Sequence, residues 1–88
     1  MRLLIVEDEK ELCDTISKSL YESGYEVDTC YDGYEALDYI LPEDYDLIVL
    51  ALNLPGMDGM DILRELRKEN EETKVLILSA RSQIIDKV

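Results

Sequence analysis

Two acids, Glu7 and Asp8, directly follow the apolar run Leu3-Leu4-Ile5-Val6. A second apolar run, Leu47-Ile48-Val49-Leu50, ends on Ala51 and passes through Asn53 into Leu54-Pro55-Gly56-Met57-Asp58-Gly59. A third, Val75-Leu76-Ile77-Leu78, ends on Ser79 and Ala80. If the three runs are neighbouring strands, two carboxylates, the methyl group of Ala51, an amide residue and a hydroxyl meet at one rim. Two like charges about 4 Å apart repel by roughly 4 kcal/mol at an effective dielectric near 20. A hard divalent cation such as Mg²⁺ removes that repulsion and prefers oxygen ligands. Glu7 and Asp8 are therefore candidate metal ligands, and the backbone carbonyl of Asn53 is a third candidate oxygen.

Each of these residues also has a local reading. Asp8-Glu9-Lys10-Glu11 fits a capping box, which accounts for Asp8 and Glu11 without a metal. Asp32-Gly33-Tyr34-Glu35 is a similar box, and here only the structural role is read. Pro55-Gly56 and Asp58-Gly59 are turn chemistry, with Asp58 a candidate helix cap. Ser79 can satisfy local backbone, although its place opposite Glu7 and Asp8 favours a phosphate contact.

The elements follow from the spacing of apolar residues. The three continuous runs suit strands covered on both faces, hence a parallel sheet. Tyr25, Val27 and Thr29 alternate with Glu26, Asp28 and Cys30, which suits a strand near an edge. Leu12, Ile16 and Leu20, with Cys13 beside them, mark a first helix that Gly24 stops. Ala36, Leu37, Ile40 and Leu41 mark a second, halted by Pro42. Ile62, Leu63 and Leu66 mark a third, and Ile84, Ile85 and Val88 begin a fourth. The acid-rich stretch Glu69-Asn70-Glu71-Glu72 reads as a solvated loop. Strand-helix repetition with right-handed crossovers predicts a doubly wound α/β sheet of order 2-1-3-4. In such sheets the working site lies beyond the carboxyl ends of the central strands.

Composition narrows the function. The chain has 88 residues, with 21 acids against 9 bases and a formal charge of −12. One domain over residues 1–88 is expected. The charge argues against binding of nucleic acid or anionic membrane by this segment. No apolar run approaches the length of a membrane span, and the N-terminus lacks the pattern of a secretory signal, so a cytoplasmic setting is expected. Cys13 and Cys30 form no metal or redox spacing and read as reduced, buried thiols. The chain has no His, which removes His-based triads and a His phosphocarrier role.

The strand-end motifs Leu3-Leu4-Ile5-Val6-Glu7-Asp8-Glu9, Asp46-Leu47-Ile48-Val49-Leu50, Leu54-Pro55-Gly56-Met57-Asp58-Gly59 and Val75-Leu76-Ile77-Leu78-Ser79-Ala80-Arg81 resemble the receiver domain of bacterial two-component response regulators. The resemblance runs along all 88 residues. It implies a flavodoxin-like fold in which Glu7 and Asp8 hold Mg²⁺ and the Asn53 carbonyl completes the protein's share of the metal shell. It implies that an Asp in the place of Ala51 takes a phosphoryl group from a histidine kinase. It implies that the Ser79 hydroxyl turns toward the phosphate and shifts the face around a fourth helix. The chemistry is positioning plus charge neutralisation. The parent protein is then a DNA-binding transcription regulator, a step that rests on family analogy.

The chain departs from that pattern. Ala51 has no oxygen, so no phosphoryl acceptor exists there and no catalytic residue is assigned. The sequence ends at Val88, before the rest of a fourth helix, a fifth strand and a fifth helix, which in the family carry a phosphate-pairing Lys and a switch aromatic. Lys87 is not that Lys, because it falls in the fourth helical pattern. An intact motif with a lost acceptor and a break inside a helix reads as engineering. An open edge on the fourth strand predicts self-association, by edge pairing or by exchange of the C-terminal segment, and weak Mg²⁺ binding follows from the lost carboxylate.

Other functions fit the sequence less well. A Mg²⁺-dependent phosphatase of similar architecture needs a second Asp two residues after the first, and Asp8-Glu9-Lys10 lacks it. A nucleotide or flavin binder needs a phosphate-cradling glycine loop, and neither G-x-G-x-x-G nor G-x-x-x-x-G-K-[ST] occurs. A fragment with a purely structural or self-assembly role is compatible with the receiver reading.

Overall fold

The computed structural model describes residues 1–78 and the backbone of residues 84–87. In chain order the elements are β1 (Arg2–Val6), α1 (Lys10–Glu22), β2 (Glu26–Cys30), α2 (Gly33–Ile40), β3 (Leu47–Ala51), α3 (Gly59–Glu69), β4 (Lys74–Leu78) and β5 (Ile84–Lys87). The sheet order is β2-β1-β3-β4-β5. The first four strands pair in parallel, so the order predicted from the apolar runs holds. The exposed alternating strand, β2, lies at the edge.

Alternation along the central strands divides the core into two layers. Leu4, Val6, Ile48, Leu50, Val75 and Ile77 face α2 and α3, packing with Ala36, Ile40, Ile62 and Leu66. Ile5 and Val49 face the other way, toward Cys13, with Ile16 and Leu20 of α1 packed against them. Complete burial of a Leu or Ile side chain contributes about 1.5–3 kcal/mol, and Leu3, Leu4, Ile5, Ile48, Leu50, Ile62 and Ile77 are all buried to that degree.

Two sequence expectations need correction here. Ile84 and Ile85 do not start a helix. They lie in β5, which pairs antiparallel with β4, Ile84 opposite Leu78 and Lys87 opposite Val75. Val88 lies outside the described residues. Pairing with β4 satisfies the backbone groups of both strands. The edge of β4 that was expected to stay open is therefore covered from within the chain.

The second correction concerns α1. Its buried face runs through Cys13, Ile16 and Leu20, while Leu12 is 36% exposed. The stripe holds at Cys13, Ile16 and Leu20, and Leu12 lies at its margin, turned from the sheet.

The expected caps of α2 and α3 and the stop of α1 are observed. Asp32 caps α2 by accepting from the N–H of Glu35 at 2.8 Å. Asp58 caps α3 by accepting from Met60 at 2.7 Å and Asp61 at 3.3 Å. Helix α1 ends at Ser23, with Gly24 following at φ +98°.

The opposite rim of the sheet is tied by a charged cluster. The Arg2 guanidinium reaches Asp28 on β2 at 3.1 Å and Glu43 before β3 at 2.6 Å. The Tyr45 hydroxyl donates to Asp28 at 2.7 Å, and burial together with that bond holds its pKa well above the usual phenol value.

Candidate functional site

The parallel register brings the expected residues to one rim. Val6 pairs with Leu50 and with Cys30 on its two sides, so β3 runs one residue past the end of β1 and Ala51 falls level with Glu7. Glu7 is the next residue after β1, and Ala51 closes β3 opposite Leu78 of β4. Glu7 and Ala51 continue the rows of Ile5 and Val49. Ser79 lies outside the described residues.

Glu7 is 8% exposed. Its N–H donates to the Cys30 carbonyl at 3.1 Å, which fixes the strand end. Its Oε2 accepts from the N–H of Glu9 at 3.0 Å. Burial pushes the Glu7 carboxyl above its ordinary pKa, the Glu9 N–H pulls it back, and the neighbouring Asp8 carboxyl raises it further. The site thus holds a partly desolvated acid beside a second acid, which is the electrostatic situation a cation relieves.

Asp8 is exposed. The capping box predicted for it does not form: the N-cap of α1 is Glu9, and no side chain caps that end. The local reading that competed with a ligand role for Asp8 is therefore removed, and its carboxylate is free of that duty. Among the described residues no three His, Cys, Asp or Glu side chains gather as a metal cage; the acid set at this rim is the pair Glu7 and Asp8. Two carboxylate donors with a backbone carbonyl fit a hard, oxygen-preferring cation of modest affinity.

Asn53 is exposed in the loop between β3 and α3. That loop is held on both sides of it. The Leu52 N–H donates to the Leu78 carbonyl at 3.1 Å, and the Leu52 carbonyl accepts from Gly59 N–H at 2.9 Å. Further on, the Pro55 carbonyl accepts from the Gly33 N–H at 3.1 Å. Leu52, Leu54 and Met57 pack against the core layer under α2 and α3. Nothing in Asp32-Gly33-Tyr34-Glu35, which as a sequence signals only a helix cap, points to the contact with Gly33. The pair Asp-Gly at a helix start signals a local turn and says nothing of a loop more than twenty residues away.

Lys87 sits opposite Val75, near the start of β4, and so belongs to the opposite end of the sheet from Glu7. The expectation that it does not serve the site holds, for a reason of register instead of helix membership. Cys13 and Cys30 are free and buried, as expected. Burial, with Asp14 and Glu35 respectively as the next contributors, pushes the thiols up to about 11 and about 12.

The strand order and the sequence have known counterparts. The profile of the response regulator receiver domain matches residues 3–88. The chain belongs to the response regulator receiver family. The transcriptional regulatory protein DltR of Streptococcus agalactiae is 44% identical over the whole chain, which covers 39% of DltR. The transcriptional regulatory protein TctD of Salmonella typhimurium is 43% identical with the same coverage. The receiver thus spans well under half the length of these regulators. Among solved structures, the response regulator TrrA of Thermotoga maritima in complex with Mg²⁺ and BeF superposes with a TM-score of 0.84 at 37% identity, over 90% of this chain and 69% of that one. TrrA in complex with the histidine kinase ThkA gives a TM-score of 0.84 at 36% identity, over 93% of this chain and 71% of that one. Among the described residues, no helix of this receiver is long and apolar enough to cross a membrane.

Proposed function

We propose that this receiver is the signal-accepting module of a two-component transcription regulator in a form that cannot be phosphorylated. The observation that carries the reading is the pairing of a preserved acid rim with a methyl group: Glu7 and Asp8 stand at the end of β1, and Ala51 ends β3 level with them. A phosphoryl group arriving from a kinase histidine needs an oxygen nucleophile at that rim, and Ala51 has none. The acid pair beside it is what such a transfer would use to hold its metal.

In this reading Glu7, Asp8 and the Asn53 carbonyl are the protein's donors to Mg²⁺. When bound there, the ion supplies neutralisation of carboxylate and phosphoryl charge. Glu7 is held by its two backbone hydrogen bonds, so one ligand is preset before any ion arrives. Asp8 is solvated and adjusts. With no carboxylate at position 51, binding is weak. Ser79 is the hydroxyl that meets the phosphate in the parent form. The partner is a histidine kinase, the setting is cytoplasmic, and the receiver itself is no enzyme and binds no nucleic acid. DNA binding belongs to the part of the regulator outside this chain.

The test is restoration. Ala51→Asp, in a chain carried on through the strand that holds the family's phosphate-pairing Lys, incubated with Mg²⁺ and acetyl phosphate and run on a phosphate-affinity gel, is expected to give an acid-stable, hydroxylamine-labile shifted band, with none from the Ala51 protein of the same length. Circular dichroism of both proteins controls for folding. A folded Ala51→Asp protein that stays unlabelled, or labelling of the Ala51 protein at this rim, overturns the reading.

A further inference from the structure

The start of α2 reaches across the molecule to the loop that carries Asn53, and it does so by three separate contacts. The Gly33 N–H donates to the Pro55 carbonyl at 3.1 Å. Gly33 also lies so close to Met57 that a Cβ added there would sit 1.8 Å from the Met57 carbonyl oxygen, a separation no side chain tolerates. The Tyr34 ring covers Gly56, whose φ of +81° lies in the left-handed region that glycine adopts without strain. Tyr34 is 67% exposed, so its ring is spread over the loop and takes little part in the core. The helix start is itself fixed, since Asp32 caps α2 through the Glu35 N–H.

Asn53 therefore lies between two anchored points, Leu52 on the strand side and Pro55 on the α2 side. The conformation available to the short stretch between them is set by where α2 begins. We propose that Asp32-Gly33-Tyr34 is a positioning element for the cation site, fixing the loop so that the Asn53 carbonyl is presented toward Glu7 and Asp8. None of the three residues touches the ion. Their action is indirect, of the kind by which groups behind metal ligands set affinity. The proposal rests on the reading of Glu7, Asp8 and Asn53 as cation donors. It assigns a role to a motif that the sequence explains only as a helix cap.

The experiment uses Tyr34→Ala, Tyr34→Phe and Gly33→Ala in the full chain. Mg²⁺ is titrated against the amide signals of Glu7, Asp8 and Asn53, and amide exchange of Asn53, Leu54, Gly56 and Met57 is measured in metal-free buffer. Tyr34→Ala is expected to weaken Mg²⁺ binding about tenfold and to speed exchange in the loop, with α1 unaffected. Tyr34→Phe keeps the ring and is expected to keep both properties. Gly33→Ala must displace Met57 and is expected to do at least as much as Tyr34→Ala. Unchanged affinity in a folded Tyr34→Ala protein overturns the proposal, even if its melting temperature or loop exchange changes, because that outcome describes a packing role only. A parent protein whose Glu7 and Asp8 signals do not respond to Mg²⁺ overturns the cation reading, and the proposal with it.

Discussion

At the scale of single residues, the site is governed by one buried acid. Glu7 gains two backbone hydrogen bonds by ending β1 where it does, and it loses hydration in the same step. The loss dominates, since its pKa moves up from 4.5. A carboxyl with a raised folded-state pKa binds its proton more tightly when folded than when unfolded. Stability conferred through it is therefore complete at acid pH and falls as pH rises through the window above 4.5. At neutral pH without metal, Glu7 works against the fold. Glu7→Gln keeps the shape and an oxygen for the Glu9 N–H. It is expected to melt higher than the parent at pH 7 in chelator, with the gap closing toward pH 4. Mg²⁺ is expected to stabilise the parent more than the variant. Equal melting curves at pH 7 in chelator would count against this account. Asp8 carries the complementary lesson. Its sequence context explains it as a cap, and the structure assigns the cap to Glu9, whose N–H is met by Glu7, so Asp8 is free of helix duty.

At the scale of elements, the parallel strands were legible because each is an unbroken apolar run that only a doubly covered sheet can bury. The caps at Asp32 and Asp58 were legible because capping is local chemistry. The stripe on α1 was legible through Cys13, Ile16 and Leu20, and only Leu12 falls outside the buried face. What was not legible depended on distant neighbours. Gly33 gave no sign of Met57. Ile84 and Ile85 satisfied a helical period and became a strand, because the deciding partner was the bare edge of β4. That last outcome changes the assembly expected of the chain. With β5 in place the Val75–Leu78 edge is paired, which removes the unpaired edge that invites pairing with another chain. Removing residues 84–88 returns the open edge. The shortened chain is expected to show a mass that rises with concentration in light scattering, while the full chain shows a smaller rise or none. A shortened chain that stays as monodisperse as the full one would mean that β5 does not protect this edge.

At the scale of the whole molecule, the question is whether the two core layers hold as one. Cys30 belongs to the layer under α2 and α3, and Cys13 to the layer under α1. Both are fully buried, and their thiols are pushed up to about 12 and about 11. A thiol reagent attacks the thiolate, so neither reacts at neutral pH until it is exposed. The layers share their strands: Leu4 and Ile5, and likewise Val49 and Leu50, are adjacent residues pointing to opposite sides. Neither layer can open far without moving β1 or β3, and a strand that moves disrupts both. Against this stands α1, which has a single fully buried residue and no side-chain cap, and so has the least to hold it down. The shared strands outweigh the weak helix if the domain unfolds in one step. The expected result is that both cysteines label slowly in native buffer, at a common rate. That rate should climb with denaturant along the same curve as loss of helical signal. Mass-resolved labelling distinguishes the alternative, in which Cys13 reacts well before Cys30 at low denaturant. That result would show α1 leaving as a unit while the layer beneath α2 and α3, with the Asn53 loop packed on it, stays closed.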